Sequence, residues 1–250
     1  MPKIDDQLRN VTARLRSAAL GADRDPTQVA LVAASKAQPP EAILAAYRAG
    51  QRRFGENYVQ EALDKQVTLD HLTESHLADL EWHFIGPIQA NKTRAIAEHF
   101  AWVHSIDRIK TARRLSRQRP DHMPPLQVCL QVNLDEEPSK AGVAPEQLDE
   151  LAQTVQALPG LRLRGLMALP KPRARSAEQR QVFARLRALL EELNSKGLAL
   201  DSLSMGMSAD LEAAVAEGAT LVRIGSAIFG PRPVKKDPVK NAGHTHPETP

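Results

Sequence analysis

Val29-Ala-Leu-Val-Ala-Ala-Ser-Lys36, followed at once by Ala37-Gln-Pro-Pro40, is the stretch on which the fold turns. Small and β-branched residues without polar alternation, halted by a proline pair, read as a strand buried on both faces that empties into a loop. The pattern recurs along the chain. Apolar runs at 29–36, 52–55, 82–86, 102–105, 126–133, 161–169, 199–205 and 219–224 alternate with helical patterns near 40–49, 57–70, 91–99, 107–118, 145–157, 176–196 and 208–217. A further amphipathic helix covers about 3–20. Such alternation requires parallel strands joined by right-handed crossovers. Eight strands predict an α/β fold, a single (β/α)8 TIM barrel with an extra N-terminal helix. An open doubly wound sheet needs fewer strands and usually a Gly-rich first turn, which Ser35-Lys-Ala-Gln-Pro39 is not.

Local signals place several helix ends. Asp107 is expected to cap the helix that follows the fourth strand, and Gly50, Gly197 and Gly218 to close helices at the C′ position. The barrel is expected over 1–231, with 232–250, rich in Pro, Lys and His, as a disordered tail. Lys171-Pro-Arg-Ala-Arg-Ser176 reads as a mobile basic loop.

Composition narrows the function classes. A chain of 250 residues can bury one large core, and with only 5 Phe, 2 Trp and 2 Tyr that core must be aliphatic. The single cysteine, Cys129, lies inside the apolar run 126–132 and reads as a core residue. No intrachain disulfide can form, which suits a reducing, cytoplasmic location. Neither a signal peptide nor a membrane span is expected, because long apolar runs are missing. The net charge of +3 is small and the arginines are scattered, so no nucleic-acid partner is expected. His244 and His246 fall in the tail, and His71 and His76 in a polar stretch; neither pair is a convincing metal site.

Barrel chemistry gathers at the C-terminal ends of strands. Those ends carry Lys36, Gly55-Glu-Asn57, His83, His104-Ser105, Asn133, Met167, Ser204-Met-Gly-Met-Ser208 and Arg223-Ile-Gly-Ser226. A strand-end lysine is either a part-desolvated amine, whose lowered pKa favours condensation with an aldehyde, or a side chain that extends to the rim. The loops after strands seven and eight open helices with small residues, leaving N–H groups and hydroxyls free for a phosphate. Taken singly, Ser208 is equally a plain cap, and Gly206 and Gly225 plain turns.

These blocks together resemble the pyridoxal phosphate homeostasis protein family. They are Val32-Ala-Ala-Ser-Lys36, Phe54-Gly-Glu-Asn-Tyr-Val-Gln-Glu61, Trp82-His-Phe-Ile-Gly-Pro-Ile-Gln-Ala-Asn91-Lys92, Gly165-Leu-Met167, Leu203-Ser-Met-Gly-Met-Ser-Ala-Asp210 and Val222-Arg-Ile-Gly-Ser-Ala-Ile-Phe-Gly230. The family's barrel is similar to the N-terminal domain of alanine racemase. The resemblance implies a cofactor, pyridoxal 5′-phosphate (PLP), carried on Lys36 as a covalent Schiff base, an internal aldimine. It also implies that Ser204, Gly225 and Ser226, with Ser208 beside them, hold the phosphate, that Arg223 faces the pyridine nitrogen, and that Asn57 lines the pocket. His83, Asn91 and Lys92 belong to family motifs without an assigned step. Lys65 and Lys140 are conceivable secondary cofactor sites on charge alone.

An arginine at the ring nitrogen leaves the cofactor a feeble electron sink. Racemisation needs a second proton-transfer group, which alanine racemase-like enzymes take from a tyrosine of an added domain. Here only Tyr47 and Tyr58 occur, neither an evident substitute. The resemblance therefore implies a non-catalytic PLP protein for intracellular PLP homeostasis, buffering or delivering the cofactor to apo forms of PLP-dependent enzymes. It is expected to act as a monomer or weak homodimer. A weak amino-acid racemase is the alternative, and a barrel for another phosphorylated metabolite or RNA, suggested by the basic loop, is a third class.

Overall fold

A computed structural model describes residues 3–73, 77, 79–135 and 141–231 of the chain. Eight parallel strands close into a barrel in sequence order: β1 Ala30–Ala34, β2 Arg53–Glu56, β3 Glu81–Phe84, β4 Trp102–Ile106, β5 Leu126–Gln131, β6 Leu161–Met167, β7 Ser202–Ser204 and β8 Leu221–Ile224. The barrel closes where β1 pairs with β8, with Ala33 opposite Ile224. The helices are α1 Ile4–Leu20, α2 Pro40–Arg48, α3 Val59–Leu72, α4 Thr93–His99, α5 Ile109–Gln118, α6 Leu148–Gln156, α7 Ser176–Ser195, α8 Leu211–Ala216 and α9 Ser226–Phe229. Among the described residues, no helix is long and apolar enough to cross a membrane.

The period-2 alternation of the strands divides two cores. On β1, Leu31 and Ala33 join the large aliphatic layer between sheet and helices, into which α1 inserts Leu8, Val11, Leu15 and Ala19 at helical spacing. Val32 points the other way, into a small interior cluster with Trp102, Cys129, Met167 and Leu221. Barrel interiors are usually filled by layers of bulky branched residues. Here the interior also carries the buried polar side chains His83, His104, Ser204 and Arg223.

Several expectations need correction. Asp107 is not a cap: α5 starts behind Arg108, and the Asp107 carboxylate pairs with the Arg108 guanidinium at 3.1 Å instead. The seventh strand is shorter than 199–205 because Leu198 and Leu200, though buried, pack as loop residues, and Gly206 turns the chain with φ +91°. The helix expected over 208–217 starts only at Leu211. Gly50, Gly197 and Gly218 do follow helix ends with positive φ. The basic loop is tied down: Asp135 accepts from the Lys171 backbone N–H and from the Arg173 guanidinium, each at 2.7 Å. The expected tail over 232–250, with His244 and His246, lies outside the described residues, as do His76 and Lys140.

Candidate functional site

A cavity of about 300 Å³ opens at the C-terminal end of the barrel. Its walls include Lys36, Asn57, Ser208, Arg223, Gly225 and Ser226, which reach it from the ends of β1, β2, β7 and β8. Leu169 and Met207, 40% and 39% exposed, form an apolar part of the rim. Six of the seven sequence-predicted residues therefore meet in one place. Ser204 does not line this cavity; its hydroxyl lies fully buried beneath it, inside the barrel.

The loops explain the convergence. After β1, Ser35 and the turn at Lys36–Ala37 carry the chain across the barrel mouth, with Ala37 in the left-handed region at φ +60°. Such a conformation costs a residue with a Cβ about 1 kcal/mol. Gly86 lets the β3 loop press against Asn57, since a Cβ there would lie 2.2 Å from the Asn57 carbonyl oxygen. Gly225 similarly admits the Ala34 carbonyl, 2.9 Å from where its Cβ would be. Beyond it, the Ser226 and Ala227 N–H groups have no acceptor within α9, while Ile228 and Phe229 donate to the Gly225 carbonyl.

Arg223 is buried, and desolvation draws its guanidinium down to about 10, so it stays charged at neutral pH. It donates to the Ser204 hydroxyl at 2.5 Å and to the Ala168 carbonyl at 3.0 Å. From Ser204 a chain of hydrogen bonds crosses the interior: Ser204 Oγ to His104 Nδ1 at 2.7 Å, His104 Nε2 to His83 Nδ1 at 2.8 Å, and His83 Nε2 to Glu81 at 2.8 Å. Its direction is forced from one end. The Glu81 carboxylate only accepts, so His83 Nε2 donates to it; with both rings neutral, His104 Nε2 donates to His83 Nδ1, and Ser204, which accepts from Arg223, donates its O–H to His104 Nδ1. His83 and His104 were expected at strand ends facing the site; instead they fill the barrel below it.

Burial holds both imidazoles below their ordinary pKa, His104 well below and His83 less so because Glu81 opposes the shift. A folded pKa below the unfolded one means that stability is complete above about pH 6.5 and declines as the pH falls toward the folded value, by up to about 1.4 kcal/mol per unit per histidine. At about pH 6.5, where a free imidazole is half protonated, imidazole nitrogen NMR should find both rings predominantly neutral with hydrogen on Nε2. An imidazolium signal from either ring would contradict the chain as drawn.

A second buried network surrounds Lys36. Glu56, fully buried at the end of β2, accepts from the Ser35 hydroxyl at 2.7 Å and from Lys65 Nζ at 2.8 Å. Burial raises the Glu56 carboxyl above its ordinary pKa against the pull of Lys65 and Ser35. Lys65 also donates to Glu61 at 2.6 Å and to the Ser35 carbonyl at 2.9 Å. Lys65 is thus a buried structural cation, not the surface charge a secondary cofactor site needs. The sequence did carry a signal for it: Val59, Ala62, Lys65 and Leu69 share the buried stripe of α3.

A larger concavity of about 1240 Å³ lies at the opposite end of the barrel, among Arg53, Glu81, Trp102, Gln127, Arg164 and Asp201. Two of its ion pairs are internal, Arg53 with Glu81 at 3.2 Å and Arg164 with Asp201 at 2.7 Å, while Arg24 and Arg119 donate to backbone carbonyls. Chemistry in this fold belongs to the other face. The smaller cavity also contains an unmet demand: Asn57 Oδ1 is buried with no hydrogen-bond partner among the described residues. An amine, a fixed guanidinium, two hydroxyls and an orphaned amide oxygen suit a compact anion that also bears an electrophilic carbon and a donor or hydroxyl group. Cys129 offers no competing nucleophile, since burial pushes its thiol up to about 12. Tyr47 bonds to Asp79, and Tyr58 is 63% exposed; neither lines the cavity.

The sequence profile of the alanine racemase N-terminal domain family matches residues 6–233. The pyridoxal phosphate homeostasis protein of Pseudomonas aeruginosa is 60% identical over 232 residues, covering 93% of this chain and 97% of that protein. Its namesake in Escherichia coli K12 is 48% identical over 236 residues, covering 94% and 100%. Among solved structures, PipY of Synechococcus elongatus with PLP bound superposes with a TM-score of 0.78 at 41% identity, over 91% of this chain and 100% of that one. Alanine racemase from Corynebacterium glutamicum, 16% identical with a TM-score of 0.63 over 92% of this chain and 62% of its own, shares the fold.

Proposed function

Because this chain belongs to the alanine racemase N-terminal domain family, and within it to the pyridoxal phosphate homeostasis proteins, we propose that its C-terminal cavity holds PLP on Lys36. The protein binds PLP and serves its homeostasis. The bound cofactor supplies an aldehyde that condenses reversibly with an amine, releasing water. The chain's own residues supply the rest. Ser208, Ser226 and the N–H groups after Gly225 hold the anionic end. Arg223 would add a fixed positive charge, Asn57 would offer its unpartnered Oδ1 to a donor, and Leu169 and Met207 would supply apolar contact. Ser204 acts from below, holding the Arg223 guanidinium in place rather than meeting the phosphate.

The observation that carries this reading is the convergence of Lys36, Arg223, Ser208 and Ser226 on one cavity whose buried amide oxygen lacks a partner. A carrier role, with PLP passed on to apo-enzymes, is supported by what surrounds the amine. Catalysis at a substrate α-carbon needs a positioned second acid or base, and neither tyrosine is at the cavity. Borohydride reduction of PLP-loaded protein followed by peptide mapping tests the assignment. The modified lysine should be Lys36 alone; label on another lysine, or none, would overturn it.

A further inference from the structure

We propose that Lys65 is a positioning residue for the reaction at Lys36, acting through Glu56 and Glu61 on the two peptide groups that flank it. The inference rests on Lys36 being the aldehyde-capturing lysine. On one side of Lys36, the Ser35 carbonyl accepts from Lys65 Nζ at 2.9 Å, and the Ser35 hydroxyl donates to Glu56 Oε1 at 2.7 Å. On the other side, the Ala37 N–H donates to Glu61 Oε1 at 2.5 Å. Lys65 Nζ joins the two carboxylates, 2.8 Å from Glu56 Oε1 and 2.6 Å from Glu61 Oε1. Both ends of the Ser35–Ala37 turn are thus clamped by one buried ammonium, whose side chain is 6% exposed.

The clamp has work to do because Ala37 sits at φ +60°, where an alanine does not rest unaided. With the flanking peptides fixed, the Lys36 side chain leaves the turn toward the cavity wall it forms with Asn57 and Arg223. Without Lys65, Glu56 would stay buried opposite no cation, and the segment would lose the acceptors and donors that hold its shape. Anion binding draws on different elements, the loops after β7 and β8, and none of the clamp's hydrogen bonds reaches them.

That separation defines the experiment. Full-length wild type, Lys65→Met and Glu61→Ala are compared for the rate of covalent capture of PLP, for affinity toward pyridoxine 5′-phosphate, which lacks the aldehyde, and for hydrogen exchange at the Ala37 amide. Misplacing a reacting group by a fraction of an ångström slows capture by about ten-fold or more. Lys65→Met should show that loss, and Glu61→Ala about three-fold, while the analogue's affinity stays within about two-fold. Exchange at Ala37 should be faster in both. Capture at the wild-type rate in both variants overturns the proposal, and so does a parallel fall in capture and analogue binding, which marks a merely structural role. If Lys65→Met does not fold, Glu61→Ala, whose side chain is 30% exposed, decides alone. A wild type that captures no aldehyde would reject the cofactor assignment; the exchange measurement, which needs no ligand, would then still reject the clamp if Ala37 is unchanged.

Discussion

Lys36→Ala should abolish covalent capture of PLP while leaving the protein folded and still able to bind the phosphate-bearing ring reversibly. The side chain is only half-buried, at the turn after β1, so its truncation removes little packing. A stability change within about 0.5 kcal/mol is expected. The near-visible absorbance of the lysine-bound cofactor should vanish outright, because no other lysine lines the described cavity. Affinity for PLP should drop to that for pyridoxine 5′-phosphate. A loss of about 100-fold corresponds to about 2.7 kcal/mol for the covalent contribution. Spectra and equilibrium dialysis on the two proteins check this, and an absorbance band that survives the substitution would place the chemistry on a different amine.

The second large effect concerns folding. Gly165→Ala would place a Cβ 1.8 Å from the Ser202 carbonyl oxygen, 2.7 Å from its carbon and 3.0 Å from its nitrogen. All three are backbone atoms of β7, which pairs with β6 at this point, Gly165 opposite Ser202. The β5–β6 register also shifts here, between Val128 and Cys129. No side-chain rotation relieves such an overlap, so the sheet itself must part. A loss above about 4 kcal/mol is expected, enough to unfold many domains. Gly21→Ala is the control: Gly21 has ordinary helical φ of −66° at the end of α1, with its nearest neighbour 3.3 Å from the added carbon. There the change should stay within about 1 kcal/mol. Urea unfolding of the two variants side by side would settle it, and similar midpoints would refute the steric argument.

Most of the architecture was legible because parallel strands buried on both faces declare themselves as unbroken apolar runs. All eight runs overlap a strand, with β2, β3 and β4 each reaching one residue beyond the run, and the N-terminal helix and the glycine helix ends follow the expected positions. What local patterns misjudged was extent. Around β7, Leu198 and Leu200 lengthen the apolar run without entering the sheet. At the site, strand-end counting brought Lys36, Asn57, Ser208, Arg223, Gly225 and Ser226 to one cavity. It could not see inside the barrel, since the contact between His104 and Ser204 spans 100 residues of chain. Nor did a lysine among charged neighbours look buried, although the stripe from Val59 to Leu69 included it.

The one-way hydrogen-bond chain through the barrel has a consequence for how molecules meet the protein. It starts at a permanent cation, Arg223, and ends at Glu81, whose carboxyl lies below its ordinary pKa because the contacts with His83 and Arg53 outweigh its burial. Each O–H and N–H in between points its hydrogen toward Glu81, so the chain turns lone pairs toward the guanidinium and hydrogens toward the carboxylate, and its dipoles stabilise both end charges across the interior. The Arg223 charge is thereby fixed beneath the mouth that carries Lys36, and an anion entering there meets a cation that need not be brought into place.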